Sequence, residues 1–196
     1  MKRQMLFNNS NLIEIGKDIY VYKNFLSNEE CDEYASFAKS LPEDKWKTSN
    51  NQVYIAEKTY SLRPVPGKIR KIVPEELKVA MGCQIIRLSE GAKYEPHHDA
   101  NIYTDVIDRF NKYKNGDDFD LELYPLYGIV VYLNDFEGGE IYYPEQGLEY
   151  KPSKGDLIIH SAEKHCTHGT KPVTAGDRYT YTSSVAKEVK VAKNGV

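Results

Sequence analysis

The chain has 196 residues, 40% hydrophobic, 28% charged and 12% aromatic, a length suited to one domain with a sizeable core. Lys and Arg number 26 against 29 Asp and Glu, a formal charge of -3, which argues against a broadly basic nucleic-acid-binding surface. No run approaches the roughly 18 apolar residues of a membrane span, and the basic amino terminus lacks the apolar core of a secretory signal. The three cysteines, Cys31, Cys83 and Cys166, show no C-x-x-C spacing and suggest neither a disulfide framework nor a zinc knuckle. A soluble domain in the cytoplasm is the expectation, with the oligomeric state left open.

In chain order, residues 18–26 (DIYVYKNFL) read as a short strand leading into a helix start. Ser27 is a good N-cap, and Glu30 three residues later completes a capping box. Cys31, Tyr34, Ala35, Ala38 and Leu41 then recur at helical spacing up to Pro42. Residues 43–67 are polar and contain proline, so they read as irregular, and a second, weaker helix is expected over Pro74–Ala80. These first 82 residues form a strand and helix that support the β-rich remainder of the chain.

From Cys83 the period changes. CQIIRL, GIVVYLN, GEIYYP, GLEYK, GDLIIH and DRYTYTSSV are short runs rich in β-branched and aromatic residues, separated by Asn134-Asp135, Gly138-Gly139, Gly147 and Lys154-Gly155. Such punctuation predicts a mainly β core over residues 83–186 with flanking helices, a jelly-roll or cupin-like barrel. Residues 101–126 break the rhythm as an insertion loop, either a solvated loop or a lid whose Tyr103, Phe110, Tyr113 and Tyr124 would cover something. The tail from Lys187 to Val196 is expected to fray.

All five histidines fall in two clusters. In Tyr94-Glu95-Pro96-His97-His98-Asp99, alternation along an extended chain points His97 and Asp99 one way and His98 the other. One imidazole and one carboxylate thus reach a common point, although a structural hydrogen bond would need the same spacing. The second cluster, His160 with His165-Cys166-Thr167-His168, could add another imidazole. Two histidines and one carboxylate occupy three positions around iron(II) and leave the others open, whereas a structural zinc site asks for four protein ligands. Cys166 reads as an ordinary small residue.

These motifs, taken in order, resemble the iron(II)- and 2-oxoglutarate-dependent oxygenases, and most of all their prolyl 4-hydroxylase branch. They are Tyr94-x-Pro96-His97-x-Asp99, Tyr132-Leu133-Asn134-Asp135 with Gly138-Gly139-Glu140, Lys154-Gly155-Asp156, and His168-Gly-x-x-Pro172-Val173-x-x-Gly176-x-Arg178. The resemblance implies a double-stranded β-helix with iron on His97, Asp99 and His168. His165 or His160 remain alternatives for the distal ligand. It also implies that Arg178 binds the far carboxylate of 2-oxoglutarate, with Tyr132 as a second donor, although Tyr132 could instead be core. A guanidinium suits that carboxylate because it offers two parallel hydrogen bonds.

The implied cofactors are Fe(II), 2-oxoglutarate and O2, with ascorbate supporting activity. The implied reaction hydroxylates a prolyl residue in a peptide or protein and releases succinate and carbon dioxide; no nucleic-acid or membrane partner is expected. Leu88 stands nine residues before His97 where many prolyl hydroxylases carry a tyrosine, and Arg178 replaces the lysine of part of that branch. These departures leave the iron site intact but keep hydroxylation of another amino acid or small molecule in view; a non-catalytic cupin-like metal-binding module is a separate rival. Ser184, six residues after Arg178, stands where nucleic-acid demethylases usually carry a second arginine.

Overall fold

Strands covered on both faces are buried along their length and read as mostly apolar, whereas a strand with one apolar face alternates. Leu157–Ser161 is buried along its whole length, and the architecture shows why. The computed structural model describes residues 7, 9–49, 52–55, 64–100 and 119–192. Among them the strands in chain order are β1 (Leu12–Gly16), β2 (Ile19–Tyr22), β3 (Lys47–Ser49), β4 (Gln52–Ile55), β5 (Lys78–Leu88), β6 (Tyr94–His97) and β7 (Phe119–Tyr132). They continue with β8 (Glu137–Gly138), β9 (Ile141–Tyr143), β10 (Leu148–Tyr150), β11 (Leu157–Ser161), β12 (His168–Thr170), β13 (Val173–Ala175) and β14 (Arg178–Ala192). Two α-helices, α1 (Asn28–Ser40) and α2 (Pro64–Ile72), accompany them, with short 3-10 turns at Glu43–Lys45, Pro144–Gln146 and Lys164–Cys166.

A large sheet has the order β1-β2-β11-β7-β14-β5-β4-β3, a smaller one β10-β9-β12-β6, and β13 pairs with β8. Pairing is antiparallel throughout these sheets. This is the expected mainly β, double-stranded β-helix arrangement, and its two sides have different coverings. Alternate residues Tyr20, Ile129, Val131, Leu157, Ile159, Tyr179 and Tyr181 face the helices, where they share one apolar cluster with Tyr34 of α1 and Val65 and Ile69 of α2. The residues between them, including Ile19, Val21, Tyr132 and Ile158, face the small sheet and pack with Ile141 and Tyr143 of β9. At 25 cal/mol per Å2, roughly, each fully buried aliphatic side chain in either layer contributes about 1.5–3 kcal/mol.

Helix α1 begins as its capping box predicts: Glu30 N–H donates to Ser27 Oγ, and Ser27 N–H donates to the Glu30 carboxylate at 2.8 Å. Cys31, Tyr34, Ala35 and Ala38 form its buried stripe. The second helix lies elsewhere than expected. It occupies Pro64–Ile72, beginning inside the stretch read as irregular and running beyond it; Pro74 instead opens a turn closed by Leu77 N–H on Pro74 O, and β5 begins at Lys78. Proline is tolerated in a first turn because those N–H groups have no helical acceptor, and Val65, Ile69 and Ile72 then line one buried face.

Residues 43–67 also contain the β3–β4 hairpin, and β1 pairs with β2 ahead of the expected first strand. Strand β7 begins at Phe119, so the carboxyl-terminal part of the expected 101–126 loop is sheet. Its partner β14 runs on to Ala192, opposite Phe119, which extends the chain well into the expected frayed tail. Long antiparallel pairing satisfies backbone groups on both strands, which explains why the two extensions occur together. The expected lid, Tyr103, Phe110 and Tyr113, and the side chain of Tyr124 lie outside the described residues.

Candidate metal and 2-oxoglutarate site

His97 ends β6 and His168 begins β12, and the register of these strands sets the two residues directly opposite each other. Asp99 lies two residues past the end of β6. Its Oδ1 lies 3.9 Å from His97 Nε2 and 3.9 Å from His168 Nε2. One ligand atom from each residue falls within 4.8 Å of the others, and no other such group occurs among the described residues. The His-x-Asp spacing therefore does bring both side chains to one point, and His98 is outside the group.

The ring orientations are determined by backbone acceptors. His97 Nδ1 is 2.8 Å from Glu95 O, and His168 Nδ1 is 3.1 Å from Cys166 O. A carbonyl can only accept, so each Nδ1 carries the proton and each Nε2 presents a lone pair towards Asp99. Burial pushes the His168 imidazole down to about 3, with the neighbouring His160 adding to that and Asp99 opposing it, so the ring is neutral at physiological pH. Burial alone would raise the Asp99 carboxyl, but the hydrogen bond from His160 and the surrounding imidazoles hold it well below the ordinary carboxylate range. Two imidazoles whose Nδ1 protons are held by backbone carbonyls, together with one carboxylate, form a donor set that fits iron(II).

The two alternative distal residues are placed otherwise. His165 Nε2 pairs with Asp18 Oδ2 at 2.9 Å, away from the group. His160 is close, its ring centroid 4.0 Å from that of His168, but its Nε2 bonds Asp99 Oδ2 and its Nδ1 meets the Tyr143 hydroxyl. Cys166 is buried; its Sγ donates to Lys17 O at 3.4 Å, and burial pushes the thiol up to about 11, so it remains a protonated structural residue.

Arg178 opens β14 opposite Leu88 of β5 and is only 3% exposed. Its guanidinium lies 5.0 Å from the Tyr132 ring centroid and 5.7 Å from that of Phe136, and Nη2 donates to the Tyr132 hydroxyl at 3.3 Å. No carboxylate pairs with it among the described residues, and its buried Nε has no hydrogen-bond partner there. A buried cation so placed fits the far carboxylate of a dicarboxylate ligand. Tyr132 is fully buried and uses its oxygen as an acceptor towards Arg178, which leaves its own proton for the same anion.

Glycines make room for this side of the site. Gly139, at φ +62, would bring a Cβ to 3.2 Å from Arg178 Cδ, and Gly138 at φ +67 would collide with Pro172 O. The Gly138-Gly139 signal is therefore a requirement for close backbone approach as well as a turn.

The sequence profile of the 2OG-Fe(II) oxygenase superfamily matches residues 83–184. The chain belongs to that superfamily. The oxygenase is 28% identical over 205 residues to the Arabidopsis thaliana protein named "Probable prolyl 4-hydroxylase 3", a match that covers 83% of this chain and 67% of the relative. Among solved structures it is similar to the viral collagen prolyl hydroxylase of Paramecium bursaria Chlorella virus-1 in its 2OG complex, with TM-score 0.61 and 21% identity over 88% of this chain and 97% of that one. It is also similar to a Pseudomonas putida prolyl-4-hydroxylase, with TM-score 0.59 and 15% identity over 87% and 92% of the two chains. At these identities the structural likeness speaks for the fold alone.

Two residues of the oxygenase site had no role assigned from the sequence. Tyr94 has its hydroxyl pushed above the ordinary tyrosine range, first by burial and also by the Asp99 charge, with Arg178 opposing both. Tyr143 reaches the site from β9 through His160. The Tyr-x-Pro-His run could have suggested Tyr94; nothing local marks Tyr143, because its partner is 17 residues away on another sheet.

Proposed function

We propose that this oxygenase hydroxylates a prolyl residue in a peptide or protein, with His97, Asp99 and His168 holding iron(II) and Arg178 and Tyr132 holding 2-oxoglutarate. The observation that carries the chemistry is the convergence of His97 Nε2, His168 Nε2 and Asp99 Oδ1 on one point of the inner face. The prolyl substrate is supported by the names of the relatives this chain matches.

Bound iron(II) supplies the oxygen activation that couples decarboxylation of 2-oxoglutarate to succinate and carbon dioxide with hydroxylation of a C–H bond. The side chains supply orientation, charge and dryness. His97 and His168 present lone pairs, and Asp99 adds the one negative charge. An ion held by these three side chains would keep room for 2-oxoglutarate and O2. Arg178 offers parallel N–H donors to the ligand's far carboxylate, and Tyr132 adds its O–H. Tyr132, Phe136, Ile141 and Tyr143 form the apolar surroundings that keep water from that ion pair and strengthen it. Ascorbate supports turnover in this reading, and the protein works in the cytoplasm on peptide segments rather than nucleic acid.

The test is mass spectrometry of proline-containing peptides incubated with enzyme, Fe(II), 2-oxoglutarate and ascorbate, alongside succinate measurement. A gain of one oxygen on proline with matching succinate is the expected result. Oxygen on another residue or on a small molecule overturns the prolyl assignment. Metal binding without 2-oxoglutarate turnover overturns the enzymatic one.

A further inference from the structure

The inner face carries a buried imidazole with no place among the proposed ligands. His160 is 1% exposed, and both of its ring nitrogens are engaged. Nε2 lies 3.2 Å from Asp99 Oδ2, and Nδ1 lies 3.0 Å from the Tyr143 hydroxyl. A carboxylate only accepts, so with one proton on the ring that proton is on Nε2, and Nδ1 accepts from Tyr143. The chain of donors thus runs from the Tyr143 hydroxyl through His160 to Asp99 Oδ2, whereas Oδ1 is the oxygen that approaches His97 Nε2 and His168 Nε2.

The fold reserves space for this contact. In the β11–β7 register His160 stands directly opposite Gly128, and a Cβ at Gly128 would collide with both Asp99 Oδ2 and His160 Nε2. Gly128 has an ordinary backbone conformation, so its missing side chain, rather than its freedom, is what the site uses.

We propose that His160 is a positioning residue that holds Asp99 to a single ligating oxygen. The inference rests on the reading of His97, Asp99 and His168 as the iron ligands. An ion held by three protein donors would need its other positions free for 2-oxoglutarate and O2. If Oδ2 were released, both carboxylate oxygens could turn to the metal and close one of those positions. Asp99 is only 9% exposed, and a buried carboxylate oxygen without a donor is costly. The bond from His160 satisfies Oδ2 and leaves Oδ1 as the oxygen directed at the two histidines.

The experiment titrates the metal-free 196-residue chain with Co(II), read by its visible absorption, and records the charge-transfer absorption of the anaerobic Fe(II)–2-oxoglutarate complex. His160→Leu is expected to weaken Co(II) binding about 10- to 100-fold and to alter both spectra. His160→Gln, whose amide N–H extends as far as Nε2, recovers most of the affinity and the parent spectra. Parent-like Co(II) binding by His160→Leu overturns the proposal, and so does His160→Gln binding as weakly as the leucine variant, since packing rather than the donated proton would then matter. If His160→Leu does not fold, His160→Asn decides, because its shorter amide reaches only the Nδ1 position: weakened binding supports the role, and parent-like affinity refutes it. Asp99→Ala is the separate control. If it binds Co(II) like the parent, the ligand assignment itself fails, independently of His160.

Discussion

Strand β11 shows the same backbone meeting two different demands. Leu157 and Ile159 join the apolar layer under the helices, whereas Ile158 and His160 face the small sheet. The same step of one residue separates Tyr179 from Arg178 on β14, and Val131 from Tyr132 on β7. The helix-facing layer holds the sheet rigid through volume and area, and substitutions there are felt as stability. The inner layer carries buried polar groups that fit their surroundings only if each finds a partner, and substitutions there are felt as lost ligand contacts. Rigid strands thus carry the site, while the helices make those strands rigid.

The largest expected effect that tests this division is on the inner side. Asp99→Ala removes the only negative charge of the ligand set and is expected to abolish succinate formation while the thermal melt stays cooperative. Residual coupled turnover near the parent rate would assign the site elsewhere. The counterpart on the helix side is Ile159→Ala, expected to cost about 2–5 kcal/mol in denaturant unfolding. Below its melting range this variant should keep its affinity for 2-oxoglutarate, and a specific loss of that affinity would blur the distinction between the two layers.

Arg178→Ala sharpens the comparison within the inner layer, since it removes a charged donor and leaves the ligand atoms in place. Losing a charge-assisted hydrogen bond of about 1.5–3 kcal/mol corresponds to a roughly 10- to 100-fold higher KM for 2-oxoglutarate. Co(II) affinity in the absence of 2-oxoglutarate should barely change. An unchanged 2-oxoglutarate requirement would refute the assigned partner.

The smallest effect lies at the helix surface. Lys68 beside Glu30 (2.5 Å), aided by the Ser27 N–H, outweighs burial and holds the Glu30 carboxyl below its ordinary value of 4.5. A group depressed in the folded state stabilises fully above its unfolded value and loses that contribution as the pH falls through the folded one. Glu30 and Lys68 are 24% and 36% exposed at their side chains, so screening limits the contribution to about 1 kcal/mol or less. Glu30→Gln should therefore lower Tm slightly at neutral pH and flatten its decline between about pH 5 and 3, with 2-oxoglutarate binding unaltered. An unchanged acid limb would show that the pair contributes nothing.

Much of this site can be read without coordinates, because its parts are local or regularly spaced. His97 and Asp99 are two residues apart at a strand end, Ser27 and Glu30 cap a helix by short-range bonds, and Arg178 follows His168 at a fixed interval within a β-rich run. Helix α2 escaped because its prolines look like breakers unless the unpaired first-turn N–H groups are considered. The start of β7 does alternate, as Phe119-Asp-Leu-Glu-Leu, but so short an alternation beside a charged, turn-rich stretch does not reveal its partner, and β7 and β14 are each extended by pairing with the other.

By itself the sequence determined the chemical inventory: the mainly β class, the clustered imidazoles and carboxylate, the guanidinium and the glycines between them. What only the tertiary structure decided is how the histidines divide their work. His168 faces His97 through the β6–β12 register, His165 is drawn off to Asp18, and His160 meets Asp99 in the space left by Gly128. Those distinctions depend on cross-strand register and on contacts between residues tens of positions apart, which no local spacing encodes.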